Sequence, residues 1–161
     1  MRNGLIGLAL GLFVGGLGGF AVAIFVYPFI FPPPEAMEAA PSASGRNLLA
    51  TGAFVHADPS DPIHYGKGKV TVYDDVVHLG PNFEVGPGPK FHVYLVPNDT
   101  VTPSTDVTKS MYVDLGRLRA FKGSQNYKVP EGLTLDKFKH VVIWCEQFDV
   151  LISPAKLVAA K

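Results

Sequence analysis

One cysteine and five histidines carry most of the reactive chemistry of this 161-residue chain. Cys145 follows Trp144, the single tryptophan, at the end of an apolar run over residues 141–144. A thiolate can act as a nucleophile, a redox group or a metal ligand, and imidazole is a common metal ligand. We therefore take Cys145, with His64 and His92 as partners, as the candidate redox or ligand group. Distance along the sequence does not say whether the three side chains meet.

The residues around Cys145 argue against several familiar redox sites. A blue-copper site needs a histidine and a methionine-like ligand close to its cysteine, and neither residue type follows Cys145. Covalent c-type haem needs CxxCH and a dithiol needs CxxC, which a single cysteine cannot supply. Two roles for Cys145 stay open, as a ligand of a haem iron or a mononuclear metal and as a partner in an intermolecular disulfide. The alternative is core packing, because apolar burial raises the pKa of a thiol and makes it inert.

Other chemistry is not visible in the sequence. It contains no nucleophile elbow, phosphate-binding loop or zincin motif, so a non-enzyme is favoured and a catalytic role stays open as the weakest option. The 14 basic and 14 acidic residues give a net charge of zero. Nucleic acid is not an expected partner, because nucleic-acid-binding domains present a basic face.

The elements that must position Cys145 are predicted to be short strands. Residues 141–144 are β-branched or aromatic without a polar break, which is typical of a strand buried on both faces. Trp144 and Phe148 are its expected core residues. Strand patterns recur at short intervals between Gly/Pro-rich turns. We predict an all-β fold, a β-sandwich or jelly-roll-like domain of about eight short antiparallel strands, over residues 47–161.

A membrane anchor is predicted over residues 1–31. Residues 5–31 carry no charge, and about 20 apolar residues span a bilayer. Because Arg2 precedes this stretch, the N-terminus is expected in the cytoplasm and the C-terminal domain outside, in the periplasm or extracellular space. A cleaved signal peptide ending near residues 21–23 is the alternative. Residues 32–46, rich in Pro, Ala and Ser, are predicted to be a linker.

A stripe of small residues runs along the predicted anchor. Its glycines recur every four residues, at Gly7, Gly11, Gly15 and Gly19. On a helix this spacing leaves one face free of side chains, so that a second helix can pack closely. The predicted partners are the membrane itself and, through the stripe, a second copy or another membrane subunit.

Five segments between residues 48 and 157 carry a resemblance to a known family. They are Gly52-Ala53-Phe54, His64-Tyr65-Gly66-Lys67-Gly68, Pro89 to Leu95, Asp114 to Tyr127, and Val141 to Cys145 with Phe148 and Ala155. Through these segments the chain resembles the "DM thirteen" family, which is named for electron transfer and occurs with DOMON domains. It implies a β-sandwich and a redox role centred on Cys145.

The sequence therefore predicts a membrane-anchored domain outside the cytoplasm with an accessory electron-transfer role. A redox partner protein is implied, while the cofactor is unknown. The alternative is a non-catalytic binding or scaffold module in which Cys145 is structural.

Overall fold

A computed structural model describes residues 2–42 and 44–160 of the chain. Helix α1 (Arg2–Ile30) comes first, and ten strands follow it within the described residues. They are β1 (Ala36–Met37), β2 (Leu48–Phe54), β3 (Gly66–Tyr73), β4 (Val76–Leu79), β5 (Glu84–Val85), β6 (Phe91–Val96), β7 (Val113–Arg117), β8 (Gly123–Lys128), β9 (His140–Cys145) and β10 (Val150–Ala159). Two 3-10 turns, Val107–Lys109 and Leu135–Lys137, lie before β7 and β9.

Nine of these strands form one continuous sheet. Their order is β1-β8-β4-β3-β2-β10-β9-β6-β7, and β5 pairs with β3 beside this path. The β1–β8 pair is parallel, whereas the other pairs are antiparallel. The chain is therefore mostly β, as predicted. The predicted sandwich of about eight antiparallel strands is wrong, because the domain is a curled mixed sheet of half-barrel shape.

Irregular strand pairing explains why a single sheet can enclose the core. The register shifts between Leu48 and Ala50, between His92 and Tyr94, and between Leu151 and Ser153. Such bulges bend a strand and increase its twist. The sheet can then wrap around its own apolar face instead of needing a second sheet to cover it. Alternating residues look the same in both arrangements, so the sequence pattern did not distinguish them.

The two faces of the sheet bury different residues. The concave face encloses the main core, to which Val141, Ile143 and Cys145 of β9 contribute. The convex face carries a smaller cluster in which Val142 and Trp144 pack beneath the loop residue Val107. All six residues of β9 are buried, which confirms the strand buried on both faces.

The N-terminal helix is long and apolar enough to cross a membrane. Its stretch from Gly4 to Ile30 has 27 residues and carries no charged side chain. A Cβ added to any of the stripe glycines would meet no atom within 4 Å, so this face is open within the described chain. Pairing through the stripe stays a prediction, which self-association of a Gly11→Ile variant in membranes would check. The side chain of Arg2, on which the predicted orientation depends, lies outside the described residues.

Part of the predicted linker is bound to the domain. Strand β1 pairs with β8, where the Ala36 N–H donates to the Lys122 carbonyl oxygen at 3.0 Å. The carboxylate of Glu38 accepts from Arg119 Nη2 at 2.7 Å and from the Asn126 N–H at 2.8 Å. These bonds hold residues 36–38 against the sheet, although the composition alone indicated a free tether. Ala43, in the same linker, lies outside the described residues.

Phe148 is not a core residue, contrary to the prediction. Its side chain is 49% exposed, in the turn between β9 and β10. Its ring contacts that of Phe25 in α1, with a centroid separation of 6.3 Å. The alternation that predicted burial ends at the turn, because turn residues follow no strand period. Phe148 instead joins the end of the helix to the domain.

Candidate functional site

Cys145 lies at the end of β9 and is only 1% exposed. Its side chain belongs to the main core, and its thiol donates a hydrogen bond to the Pro89 carbonyl oxygen at 3.3 Å. Burial raises the pKa of the thiol, even though the backbone N–H groups of Phe148 and Gln147 favour the thiolate. A neutral, buried thiol is a poor nucleophile and a poor metal ligand.

We expect Cys145 to resist thiol reagents in the folded protein. Full-length protein in mild detergent should show no rapid reaction with a chromogenic disulfide reagent, and one thiol should react after denaturation. The physical reason is that attack requires an exposed thiolate, which burial suppresses. Stoichiometric reaction within the mixing time, before denaturant is added, would contradict the buried geometry.

The structure does not bring Cys145 and His92 together. In the antiparallel β6–β9 pair, Cys145 lies opposite Phe91, and His92 lies opposite Trp144. Successive side chains of a strand point to opposite faces of the sheet. Cys145 therefore faces the concave core, whereas His92 belongs to the convex face. A ligand set that combines these two residues would have to cross the sheet.

His64 lies in the loop before β3 and has its own partner. Its Nδ1 is hydrogen-bonded to Asp61, which also accepts from the backbone N–H groups of Ile63 and His64. Burial alone would raise the pKa of Asp61, but these hydrogen bonds outweigh it and lower the pKa to about 2. His64 is thus part of a loop-stabilising pair in the described structure.

The glycines after His64 serve close packing. A Cβ on Gly66 would collide with the Ser153 side chain. Gly68 has φ +110°, and a Cβ there would lie 2.5 Å from Phe83 Cα. Close packing between strands therefore accounts for both glycines, and no ligand is needed to explain them.

His92 is the centre of a different cluster. Its Nδ1 lies 2.9 Å from Asp114 Oδ2, and its Nε2 lies 3.5 Å from Glu146 Oε2. One ligand atom from each of the three residues falls within 4.8 Å of the others. The residues come from β6, from β7 and from the position just after β9. Three neighbouring strands of the curled sheet therefore place two carboxylates around one imidazole.

Neighbouring side chains orient this His92–Asp114–Glu146 cluster. The Tyr94 hydroxyl donates to Glu146 Oε1 at 2.8 Å, and Lys90 Nζ lies 3.1 Å from Glu146 Oε2. The Tyr94 hydrogen bond is the main reason that the pKa of Glu146 is lowered. The His92 side chain is 15% exposed, compared with 38% for Asp114, so the cluster opens to solvent on one side.

This arrangement has the ligand types and spacing of a mononuclear metal site. Imidazole suits Zn, Cu, Fe and Ni, while carboxylates suit Mg, Ca and Mn. Metal ligands must be deprotonated, and the lowered pKa of Glu146 meets that condition. Among the described residues this is the single group of three such side chains within reach of one another, and it contains neither Cys145 nor His64.

One of the three cluster residues, His92, is a candidate ligand from the sequence alone. Asp114 and Glu146 are not predicted as ligands from the sequence. The sequence feature that points to Glu146 is strand alternation. Glu146 lies two positions after Trp144, so both side chains are on the same face if β9 continues straight. The pairing of β6 with both β7 and β9 completes the cluster, and the sequence does not contain that pairing.

A comparison with family models matches residues 60–157 to the family described as "Electron transfer DM13". The match covers more than half of the chain. The chain belongs to the DM13 family. The match begins after the Gly52-Ala53-Phe54 segment of the resemblance and includes its other segments. No curated protein and no solved structure matches the chain. Within the DM13 domain, the cluster and Cys145 both lie in the matched residues.

Proposed function

We propose that this DM13 protein is a membrane-anchored electron-transfer accessory whose redox group is a metal ion bound by His92, Asp114 and Glu146. The family description supports the electron-transfer class. The observation that carries the choice of site is the convergence of three ligand atoms within 4.8 Å. Helix α1 holds the domain at the membrane, with the N-terminus in the cytoplasm and the domain outside.

The chemistry required of the site is a one-electron exchange. A bound iron or manganese ion would take one electron from a reduced partner protein and pass it to an oxidised one, with no bond made or broken. One imidazole and two carboxylates form a borderline-to-hard ligand set that suits these two metals. The Lys90 ammonium, 3.1 Å from Glu146, then has to move away from the entering cation.

Aromatic residues beside the cluster support a path to the surface. The rings of Tyr94 and Tyr112 are stacked, with centroids 4.4 Å apart. Tyr94 is buried against the cluster, while Tyr112 is 36% exposed. A redox partner that docks over Tyr112 would approach the metal through these two rings.

The test is metal loading of the full-length protein in detergent. After chelation and anaerobic reloading with Fe²⁺ or Mn²⁺, we expect about one ion per chain and a reversible one-electron wave. Cys145→Ala should keep both signals, because Cys145 faces the opposite side of the sheet. Failure to retain either metal above the level of an Asp114→Asn variant would contradict the proposal.

The version of this function that centres on Cys145 makes the opposite prediction. In that version Cys145→Ala abolishes the redox signal and the three cluster residues are dispensable. Its support is the position of Cys145 in the closing segment of the family-matched region. A metal-free protein with an unreactive thiol would instead favour the scaffold alternative, in which Cys145 is a core residue.

A further inference from the structure

A cavity lies where the end of helix α1 meets the DM13 domain. Its volume is about 520 Å³. One wall is formed by Ile24, Tyr27 and Phe31, from the end of the helix and the residue after it. The other wall comes from the domain and includes Phe91 and Phe121. The cavity is therefore largely apolar and bounded by the membrane-anchoring segment itself.

The length of helix α1 is consistent with a cavity at the membrane surface. The apolar stretch of 27 residues is about 40 Å long at 1.5 Å per residue, whereas the hydrocarbon core of a bilayer is about 30 Å thick. A helix of this length can span the core with its C-terminal end at the headgroup level, where aromatic residues gather. Tyr27 and Phe31 are each 63% exposed and Phe148 is 49% exposed at this level.

The charged residues of the cavity all have the same sign. Lys90, Arg117 and Arg119 line it, and none of its described lining residues is a carboxylate. Lys90 is paired with Glu146, and Arg119 with Glu38. Arg117 has no carboxylate partner within 4 Å in the described part of the chain. An apolar cavity with one unpaired arginine at its rim is complementary to an amphiphile with an anionic head.

We infer that this cavity binds an anionic phospholipid of the outer leaflet. The headgroup of net negative charge lies at Arg117, where the ammonium of a zwitterionic lipid would offset the attraction, and an acyl chain lies along Ile24, Tyr27 and Phe31. Bound lipid would fix the domain on the membrane surface, close to membrane-embedded redox partners. The inference rests on the anchoring part of the proposed function and needs no bound metal, although Lys90 lines the cavity and pairs with Glu146 of the cluster.

The experiment titrates full-length protein in detergent micelles with phosphatidylglycerol or phosphatidylcholine and counts bound lipid by native mass spectrometry. One phosphatidylglycerol should bind, with an affinity about tenfold above that of phosphatidylcholine. Arg117→Gln should weaken phosphatidylglycerol binding about fivefold, the effect of one basic residue near an anionic surface.

The matched control is Lys137→Gln, which removes the same charge from the opposite end of the domain. Strand β6 runs from Phe91 at the cavity to Val96, about 17 Å along the sheet, and the Val96 carbonyl accepts from the N–H of Lys139, two residues after Lys137. This variant should bind phosphatidylglycerol like the unmodified protein. Equal binding of the two lipids, or equal losses in the two variants, would overturn the inference.

A separate experiment tests the anchoring proposal and not the lipid site. If alkaline carbonate extracts the protein from cell membranes, the anchoring proposal fails, whatever the micelle titration shows. If the protein stays in the membrane but binds both lipids equally, the anchor stands and the lipid site is refuted.

Discussion

Replacing Trp144 by Ala is expected to lower the free energy of unfolding by about 3–5 kcal/mol, the usual cost of truncating a buried tryptophan. Trp144 is 2% exposed and is the largest side chain of the convex cluster. Its removal leaves a cavity beneath the loop that carries Val107, and the described strands offer no second sheet that can close the gap. The measurement is denaturant unfolding of full-length protein in micelles, followed by circular dichroism because the variant lacks the only tryptophan.

Two further variants make this prediction specific. Trp144→Phe should cost less than Trp144→Ala, because Phe fills much of the space and removes the indole N–H, which is buried without a hydrogen-bond partner in the described structure. Phe148→Ala should change stability by less than about 1 kcal/mol, since Phe148 is half exposed. A Trp144→Ala loss no larger than that of Phe148→Ala would contradict the packing described for β9.

Replacing either carboxylate of the His92–Asp114–Glu146 cluster is expected to reduce metal affinity by on the order of 100-fold, because even outer partners of metal ligands contribute 10–100-fold. Asp114→Asn and Glu146→Gln keep the side-chain shape while removing one anionic ligand. Isothermal titration of the full-length protein with Mn²⁺ measures the loss. Asp136→Asn is the control, since Asp136 is an exposed carboxylate in the 3-10 turn before β9.

Replacing Lys90 is expected to change metal affinity in the opposite direction. Its ammonium lies 3.1 Å from Glu146 Oε2 and competes with an entering cation. Lys90→Met should raise Mn²⁺ affinity by up to about fivefold, in keeping with the modest strength of exposed ion pairs. Unchanged affinity in the Asp114 and Glu146 variants, or a loss in Lys90→Met, would show that the cluster is a network of ion pairs without a metal role.

The sequence was sufficient for features that depend on local patterns. The predicted anchor rests on an uninterrupted apolar stretch, where the structure has a helix long and apolar enough to cross a membrane. The prediction of β9 rests on a run of β-branched and aromatic residues, where the structure has a strand. The DM13 family was recognisable from short segments, and the family comparison confirms it. These predictions succeed because strand period and helix length are properties of residues that are neighbours in sequence.

The tertiary structure decided which reactive groups meet. Cys145 is the most conspicuous reactive residue of the sequence. The pairing of β9 with β6, however, puts the Cys145 thiol on the concave face and His92 on the convex face. The same pairing, together with β7, gathers Asp114 and Glu146 around His92, although these residues are 22 and 54 positions away from it. Sequence determined that a strand carries Cys145, whereas sheet order and curvature decided that His92 on the other face, and not the thiol, lies between two carboxylates. The physical reason is that strand alternation fixes a side chain's face relative to its neighbours, while the contacts across strands depend on long-range pairing that no local pattern encodes.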